Sequence, residues 1–284
     1  MLIDNGHSRA LLIPESHNLS GFPEGISGRD YLSLLREHAR FYGAALIQGR
    51  IEDLQKTPEG FAAHSTNTSF AARSVLLATG VTNKRPDIDD DTHAKALGRG
   101  HLRYCPVCDG YEVSGQNVAV IGTGDRAVCE AEFLRSYTER VTIISNTADD
   151  FDDDLRRRLG RINAAIRLGP ITAINLRENG LEVATADESE IYDAVYPALG
   201  SSIHSRLAKI LGASASDDGC IKVDRHQRTA VKQLYAAGDV VYGLDQISVC
   251  NGQAAIAAVT LRNDLGEERP LLWPLSSGAR SRGS

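Results

Sequence analysis

The sequence has no apolar run near the roughly 18 residues that cross a bilayer, and its start has no signal-peptide pattern. A membrane span and a secretory leader are therefore not expected. Positive charge is not in excess: 31 Lys and Arg against 37 Asp and Glu leave a net charge of −6. That balance argues against a partner such as nucleic acid. Cysteine is sparse and odd in number, with five residues at 105, 108, 129, 220 and 250. A secreted disulfide framework is denser, so a reducing cytoplasm with one working pair is expected. No second Cys-x-x-Cys is present and His101 stands alone near the first, so a zinc site would need two more ligands at matching spacing. No metal site is expected, and there is no internal repeat beyond two dinucleotide-like halves.

What is present begins with length: 284 residues, 42% of them hydrophobic, suffice for two domains with sizeable cores. The organising stretch is Tyr104-Cys105-Pro106-Val107-Cys108-Asp109-Gly110, followed at once by the run Gln116–Ala127. Two thiols at this spacing can close a small disulfide ring or carry two electrons as a dithiol. A structural disulfide and half of a metal site are the other readings of the pair. A thiol near a helix N-terminus loses its proton more readily, and Asp109 is placed in sequence for acid–base work. Cys129, Cys220 and Cys250 read as buried small hydrophobes.

Residues 117–121 have the pattern of a buried strand, and Gly122-Thr123-Gly124-Asp125-Arg126-Ala127 is a Gly-x-Gly-x-x-Ala turn. Gly122 allows the tight turn, Gly124 lets backbone N–H groups reach a pyrophosphate, and Ala127 permits close helix packing. A helix over 127–137 and a strand over 140–144 complete the nucleotide-binding corner. At the tip of that strand an acid would favour NAD and a basic cluster NADP. The chain offers Ser145-Asn146-Thr147-Ala148 and then Asp149 and Asp150. NADPH is poorly supported there, and NADH only slightly better. Arg156, Arg157 and Arg158, on a helix begun by the Asp run 152–154, read as a solvated face.

Elsewhere, Leu2-Ile3-Asp4 reads as a strand ending in a carboxylate, which would accept ribose hydroxyls or be a plain surface acid. The Gly-x-Gly-x-x-Gly turn expected about 20 residues or more upstream of such an acid is not in the sequence. The expectation is a truncated or misassigned start, or a lost nucleotide cradle. Residues 14–28 read as loop, with His17 a proton relay or an ordinary loop histidine. A helix is expected over 29–42, strands over 44–54, 61–66 and 69–77, and a polar connector over 84–100. Ala78-Thr79-Gly80 is a small-residue turn that lets backbone approach a bulky ligand. Residues 161–200 should alternate short strands with turns, and 201–218 should be linker. Strands are expected at 221–224 and 234–240, the latter running into Gly238-Asp239, whose acid can hold a polyol. A helix follows over 251–263, and the tail from Pro274 is expected to be disordered.

Taken in order, the loop Asn18–Gly28, Ala78–Gly80, Cys105–Gly110, Gly122–Ala127 and Tyr235–Val240 with its helix resemble the low-molecular-weight thioredoxin reductases and their relatives. The resemblance spans Met1 to about Leu265. It implies an α/β fold of two Rossmann-like, three-layer domains, the second inserted into the first. The boundaries expected are 1–100 and 221–265 for an FAD-type domain, 101–220 for an inserted NAD(P)-type domain carrying the cysteines, and 266–284 for a tail. It implies FAD against the disulfide, with Cys108 facing the flavin, Cys105 attacking the partner disulfide and Asp109 exchanging protons. Asp4, Asn18, Thr79, Gly80, Gly238, Asp239 and Gln246 would hold FAD; Gly122, Gly124 and Ala127 would face NADH or NADPH. The partner would be a thioredoxin-like protein or a small disulfide, and the enzyme a cytoplasmic homodimer. The chain departs from the family at Ser145-Asn146-Thr147 (His-Arg-Arg), Asp245-Gln246-Ile247 (Arg-Gln-Ala) and Pro106-Val107 (Ala-Thr). Because relatives that pass electrons from small dithiols to oxygen share the Cys-x-x-Cys-Asp arrangement, a dithiol oxidase is an alternative. A flavin-free relic serving as a binding or dimerisation module is another.

Overall fold

The structure, a computed structural model, describes residues 1–146 and 151–272. The chain forms two compact units, Met1–Gly49 with Val81–Ile203, and Arg50–Gly80 with the chain from His204. The compact units meet in sequence at 49/50, 80/81 and 203/204. The first 49 residues group with the cysteine segment because the 3-10 turn Arg9–Leu12 packs on strand Val81–Asn83 and loop 14–27 bonds to the cysteine turn.

The first unit is built on a parallel sheet of four strands in the order Ala165–Leu168, Arg140–Ser145, Asn117–Gly122, Ala194–Ala198. Near-continuous apolar runs make the strands Arg140–Ser145, Asn117–Gly122 and Ala194–Ala198, as expected for strands buried on both faces, while Ala165–Leu168 is a partly exposed edge. Val118, Val120 and Ile143 face helices Gly124–Leu134 and Asp153–Ile162, packing on Leu134 and Leu159. Ala119, Ile121, Ile144 and Val195 face the other way. They pack on an antiparallel sheet (Ile171–Arg177, Gly180–Thr185, Ser189–Tyr192) through Leu181, Val183 and Tyr192, and on helix Asp90–Gly98 through Ala96 and Leu97. Three layers result.

Helix Asp90–Gly98 lies where a polar connector was expected. Asp89 caps it through the Thr92 N–H, and His93, Ala96 and Leu97 fill one buried face at helical spacing. The residues expected to be a solvated arginine face divide. Arg157 is exposed, but Arg158 bridges to Asp125 at 2.5 Å and Glu132 at 2.6 Å, joining its helix to the preceding one. The linker expected over 201–218 contains strand Ser201–Ile203 and helix Arg206–Ile210.

The second unit holds an antiparallel sheet, Asp53–Thr57, Gly60–His64 and Ser69–Ala72, and a parallel pair, Val75–Leu77 with Leu234–Ala236. The runs 44–54 and 69–77, expected as single strands, are each broken: Leu46–Gln48 pairs with Leu2–Asp4 in the first unit, and Ser69–Ala72 and Val75–Leu77 join different sheets. No strand forms at 221–224, where Ile221 makes only isolated bridges to Ala215 and Val241. The final helix runs longer than expected, Ile247–Glu268. The tail from Pro274 lies outside the described residues.

Arg228 grips Asp264 of that helix with two hydrogen bonds, at 2.8 and 2.7 Å, and the Tyr235 hydroxyl donates to Asp264 Oδ2 at 2.7 Å. The Arg228 hydrogen bonds, with help from Tyr235, hold the Asp264 carboxyl down at about 2. A depressed carboxyl contributes stability above its unfolded value and loses it as pH falls through the folded one. Acid denaturation followed by circular dichroism should therefore show a loss of stability between about pH 4 and pH 2 that Asp264→Asn lacks.

Candidate active site

The cysteine turn is placed by the open edge of the parallel sheet. Leu102 bridges in parallel to Val195: the Arg103 N–H donates to the Val195 carbonyl at 2.9 Å, and Val195 donates to the His101 carbonyl at 2.8 Å. His101 itself lies 2.7 Å from the Asp193 carbonyl through Nδ1, a backbone anchor. Tyr104 is pinned 2.8 Å from His93 Nε2, and burial pushes that histidine down to about 4. The chain then turns into the short helix Pro106–Asp109, with Cys105 at its N-cap and Pro106 at the first helical position, where no N–H is needed.

Cys105 and Cys108 are joined in a disulfide, and both are half-buried. The N–H groups of Cys108 and Asp109 both donate to the Cys105 carbonyl, at 2.9 and 3.2 Å. Val107 and Tyr111 are exposed on either side of Cys108, and Tyr111 meets Tyr137 edge-on. Asp109 is the acid of the turn, its side chain 16% exposed. The Tyr196 hydroxyl, one residue along the strand from the Val195 bridge, donates to its Oδ1 at 2.8 Å, and Arg103 Nη1 lies 3.1 Å from its Oδ2. Burial pushes the Asp109 carboxyl up, against the opposing pull of Arg103 and Tyr196.

The same Arg103 nitrogen lies 3.0 Å from Glu112 Oε2, and His17 Nδ1 lies 2.9 Å from Glu112 Oε1. The hydrogen bond with Glu112 holds the His17 imidazole above its ordinary value. Asn18 Nδ2 donates to the Val107 carbonyl at 3.2 Å. His17 and Asn18 thus tie loop 14–27 to the cysteine turn. Sequence reasoning missed Arg103, Glu112 and Tyr196. Only the i, i+3 spacing of Asp109 and Glu112 hinted that they share a face.

The Gly-x-Gly-x-x-Ala turn falls at the carboxyl end of strand Asn117–Gly122. A side chain at Gly122 would meet Ala198 at 2.9 Å, Gly124 has φ of 61°, and Ala127 is fully buried on the inner face of helix Gly124–Leu134. The Thr123 hydroxyl does not cap this helix. Ser145, at the tip of the next strand, is buried and Asn146 exposed; Thr147, Ala148, Asp149 and Asp150 lie outside the described residues. Cys129, expected to be buried, is exposed beside Arg158 and Asp125, because the polar clamp between the two helices takes that face. Cys220 and Cys250 are half-buried.

The residues assigned to FAD divide between the units. Asp4, in the first, accepts from Arg36 at 2.9 Å and from the Gly6 N–H at 2.9 Å. In the second, Thr79 Oγ1 donates to the His204 carbonyl at 2.7 Å, and Gly80, φ 62°, has open space where a Cβ would stand. Gly238 has φ of 81° and donates its N–H to Gln253 Oε1 at 2.7 Å. Asp239, half-exposed, accepts from the Cys250 thiol at 3.2 Å. Both bonds seat the Gly-Asp turn on the first two turns of helix Ile247–Glu268, which Gln246 precedes. An acid beside a long helix's N-terminus, next to a glycine with φ above zero, can accept hydrogen bonds from the hydroxyls of a polyol.

Residues 26–254 match the family Pyridine nucleotide-disulphide oxidoreductase, and the chain belongs to it. Within that family it is a thioredoxin reductase-like oxidoreductase. It is 27% identical to the thioredoxin reductase of Bacillus subtilis (strain 168), over 91% of this chain and 84% of that one. It is 29% identical to that of Treponema pallidum (strain Nichols), over 88% and 83%. Among solved structures, HlmI is 27% identical with a TM-score of 0.85, covering 94% of this chain and 85% of that chain. Thioredoxin reductase from Streptococcus pyogenes MGAS5005 has a TM-score of 0.83 at 21% identity, covering 93% and 89%, and shows the two-domain Rossmann-like α/β fold.

Proposed function

We propose that this protein is an FAD-dependent disulfide oxidoreductase of thioredoxin reductase type, using Cys105 and Cys108 to reduce a thioredoxin-like protein or a small disulfide. The observation that carries the reading is a half-exposed disulfide on a turn whose next residue is a nearly buried carboxyl, pushed up by that burial. FAD, when bound, supplies two-electron reduction by a pyridine nucleotide; Asn18, Thr79, Gly80, Gly238, Asp239 and Gln246, with Asp4, would hold it. Gly122, Gly124 and Ala127 would face the nucleotide pyrophosphate. The functional division proposed follows the sequence boundaries, 1–100 and 221–265 for flavin and 101–220 for nucleotide.

In the reduced pair, the Cys105 thiolate attacks the partner disulfide, forming a mixed disulfide and releasing one partner thiolate, which takes a proton. Cys108 then attacks Cys105, re-forming the Cys105–Cys108 bond and releasing the second partner thiol. Asp109 accepts and returns the proton that the pair exchanges. The few, scattered cysteines of the sequence support a reducing, cytoplasmic setting. A homodimer is proposed from the family likeness and is checked by light scattering.

The test is the visible spectrum of the purified chain with FAD added. A flavin spectrum retained through desalting supports the reading, and a colourless product overturns it. With Ser145 and Asn146 at the strand tip, anaerobic bleaching by NADPH should be no faster than by NADH. A strong preference for NADPH in that titration would contradict the strand-tip argument.

A further inference from the structure

The reading of Cys105 and Cys108 as a working pair leaves Arg103 and Glu112 without a role. Their geometry is specific. Arg103 and Asp109 are nearly buried, with side chains 15% and 16% exposed. One Arg103 nitrogen is shared by two carboxylates, at 3.1 Å from Asp109 and 3.0 Å from Glu112. Arg103 Nε also donates to the Gly100 carbonyl at 2.8 Å, so the guanidinium cannot swing away without breaking a backbone contact. Tyr196 holds the other oxygen of Asp109. The carboxyl beside Cys108 is thus fixed in place on both oxygens.

We infer that Arg103 is a positioning residue for Asp109: held by Glu112, it fixes the aim and charge of that carboxylate and so sets how readily the reduced Cys105/Cys108 pair gives up a proton. The charge count supports this. With both acids ionised, one cation faces two anions, and the His17 imidazole on the far oxygen of Glu112, itself facing Glu15 and Glu24, adds a second cation when protonated. Arg103 alone leaves its two carboxylates one charge short, so removing one charge from the group moves the proton affinity of its neighbours.

The test reads the thiols directly in the full chain. Dithiothreitol reduces the disulfide, passing two electrons and two protons to the pair and becoming the cyclic disulfide. After its removal, iodoacetamide labels the thiols from about pH 5 to pH 10, with Cys105 and Cys108 resolved from the other cysteines by peptide mass spectrometry. Loss of the cation in Arg103→Met is expected to raise the labelling midpoint by about one pH unit. Arg103→Lys keeps most of the wild-type midpoint. Asp109→Asn lowers it, and in that background Arg103→Met moves it by less than about 0.3 unit. An unmoved midpoint in Arg103→Met, or an equal shift in both backgrounds, would overturn the inference. If Arg103→Met does not fold, Glu112→Gln carries the test with the opposite sign: Arg103 then serves Asp109 alone, and the midpoint falls. An unmoved midpoint there also overturns it. Labelling needs neither flavin nor nucleotide, so this test and the spectral test fail independently.

Discussion

Cys108→Ser is expected to trap a covalent adduct between Cys105 and its disulfide partner, and to lower multiple-turnover reduction by about three orders of magnitude. On the proposed roles, Cys105 of this variant still attacks the partner disulfide, but no second thiolate releases the product. Cys105→Ser should lose activity to the same degree and form no adduct, because on the proposed roles Cys108 serves the flavin side and not the partner. The pair of variants separates a directional relay from a structural disulfide. Removing a structural disulfide would lower stability in both variants alike and leave turnover by the folded fraction intact. The measurement is intact mass after incubation with an oxidised thioredoxin-like protein, beside the rate of its reduction. An adduct in Cys105→Ser and none in Cys108→Ser would reverse the assignment.

Gly28→Ala is expected to destabilise the chain by about 3 kcal/mol, a large effect for one methyl group. Gly28 opens helix Gly28–Phe41, and its N–H donates to the Ile13 carbonyl at 3.0 Å. A Cβ there would stand 1.7 Å from the Ala10 carbonyl oxygen and 2.7 Å from the Ala10 carbonyl carbon. Those are backbone atoms, so no rotamer change relieves the clash; the 3-10 turn Arg9–Leu12 must shift. Loop 14–27 begins just after that turn and carries His17 and Asn18 onto the cysteine turn. Chemical denaturation should show the lost stability, and the iodoacetamide labelling rate of Cys105 should change with it. Gly98→Ala, where added volume meets open space, should do neither. Equal behaviour of the two variants would show that the contact at Ala10 is not tight.

Much of the first unit was legible because its signals are local. The runs at 117–122 and 140–145, the glycine turn between strand and helix, and the Asp152 cap each depend on a few neighbouring residues. Helix Asp90–Gly98 was missed although its pattern is present, since three acids at its start read as polar connector when the partner of its buried face is unknown. The broken strands at 44–54 and 69–77 were illegible for a different reason. Whether an extended run forms one strand or two depends on which sheets receive it, and pairing partners such as Leu46 with Leu2 or Leu77 with Ala236 are remote in the chain.

By itself the sequence determined the chemistry available: two sulfurs spaced to bond, an acid directly after the second, and a glycine turn matched to a dinucleotide. Those follow from residue type and short spacing, which survive any packing. Only the tertiary structure decided the environment of that chemistry. It brought Tyr196 from 87 positions away onto Asp109 and His17 from 95 positions away onto Glu112. It also gave Arg103 two carboxylates to share. Charge and burial around a group depend on what the fold places within a few ångströms of it, and chain order alone does not contain that information.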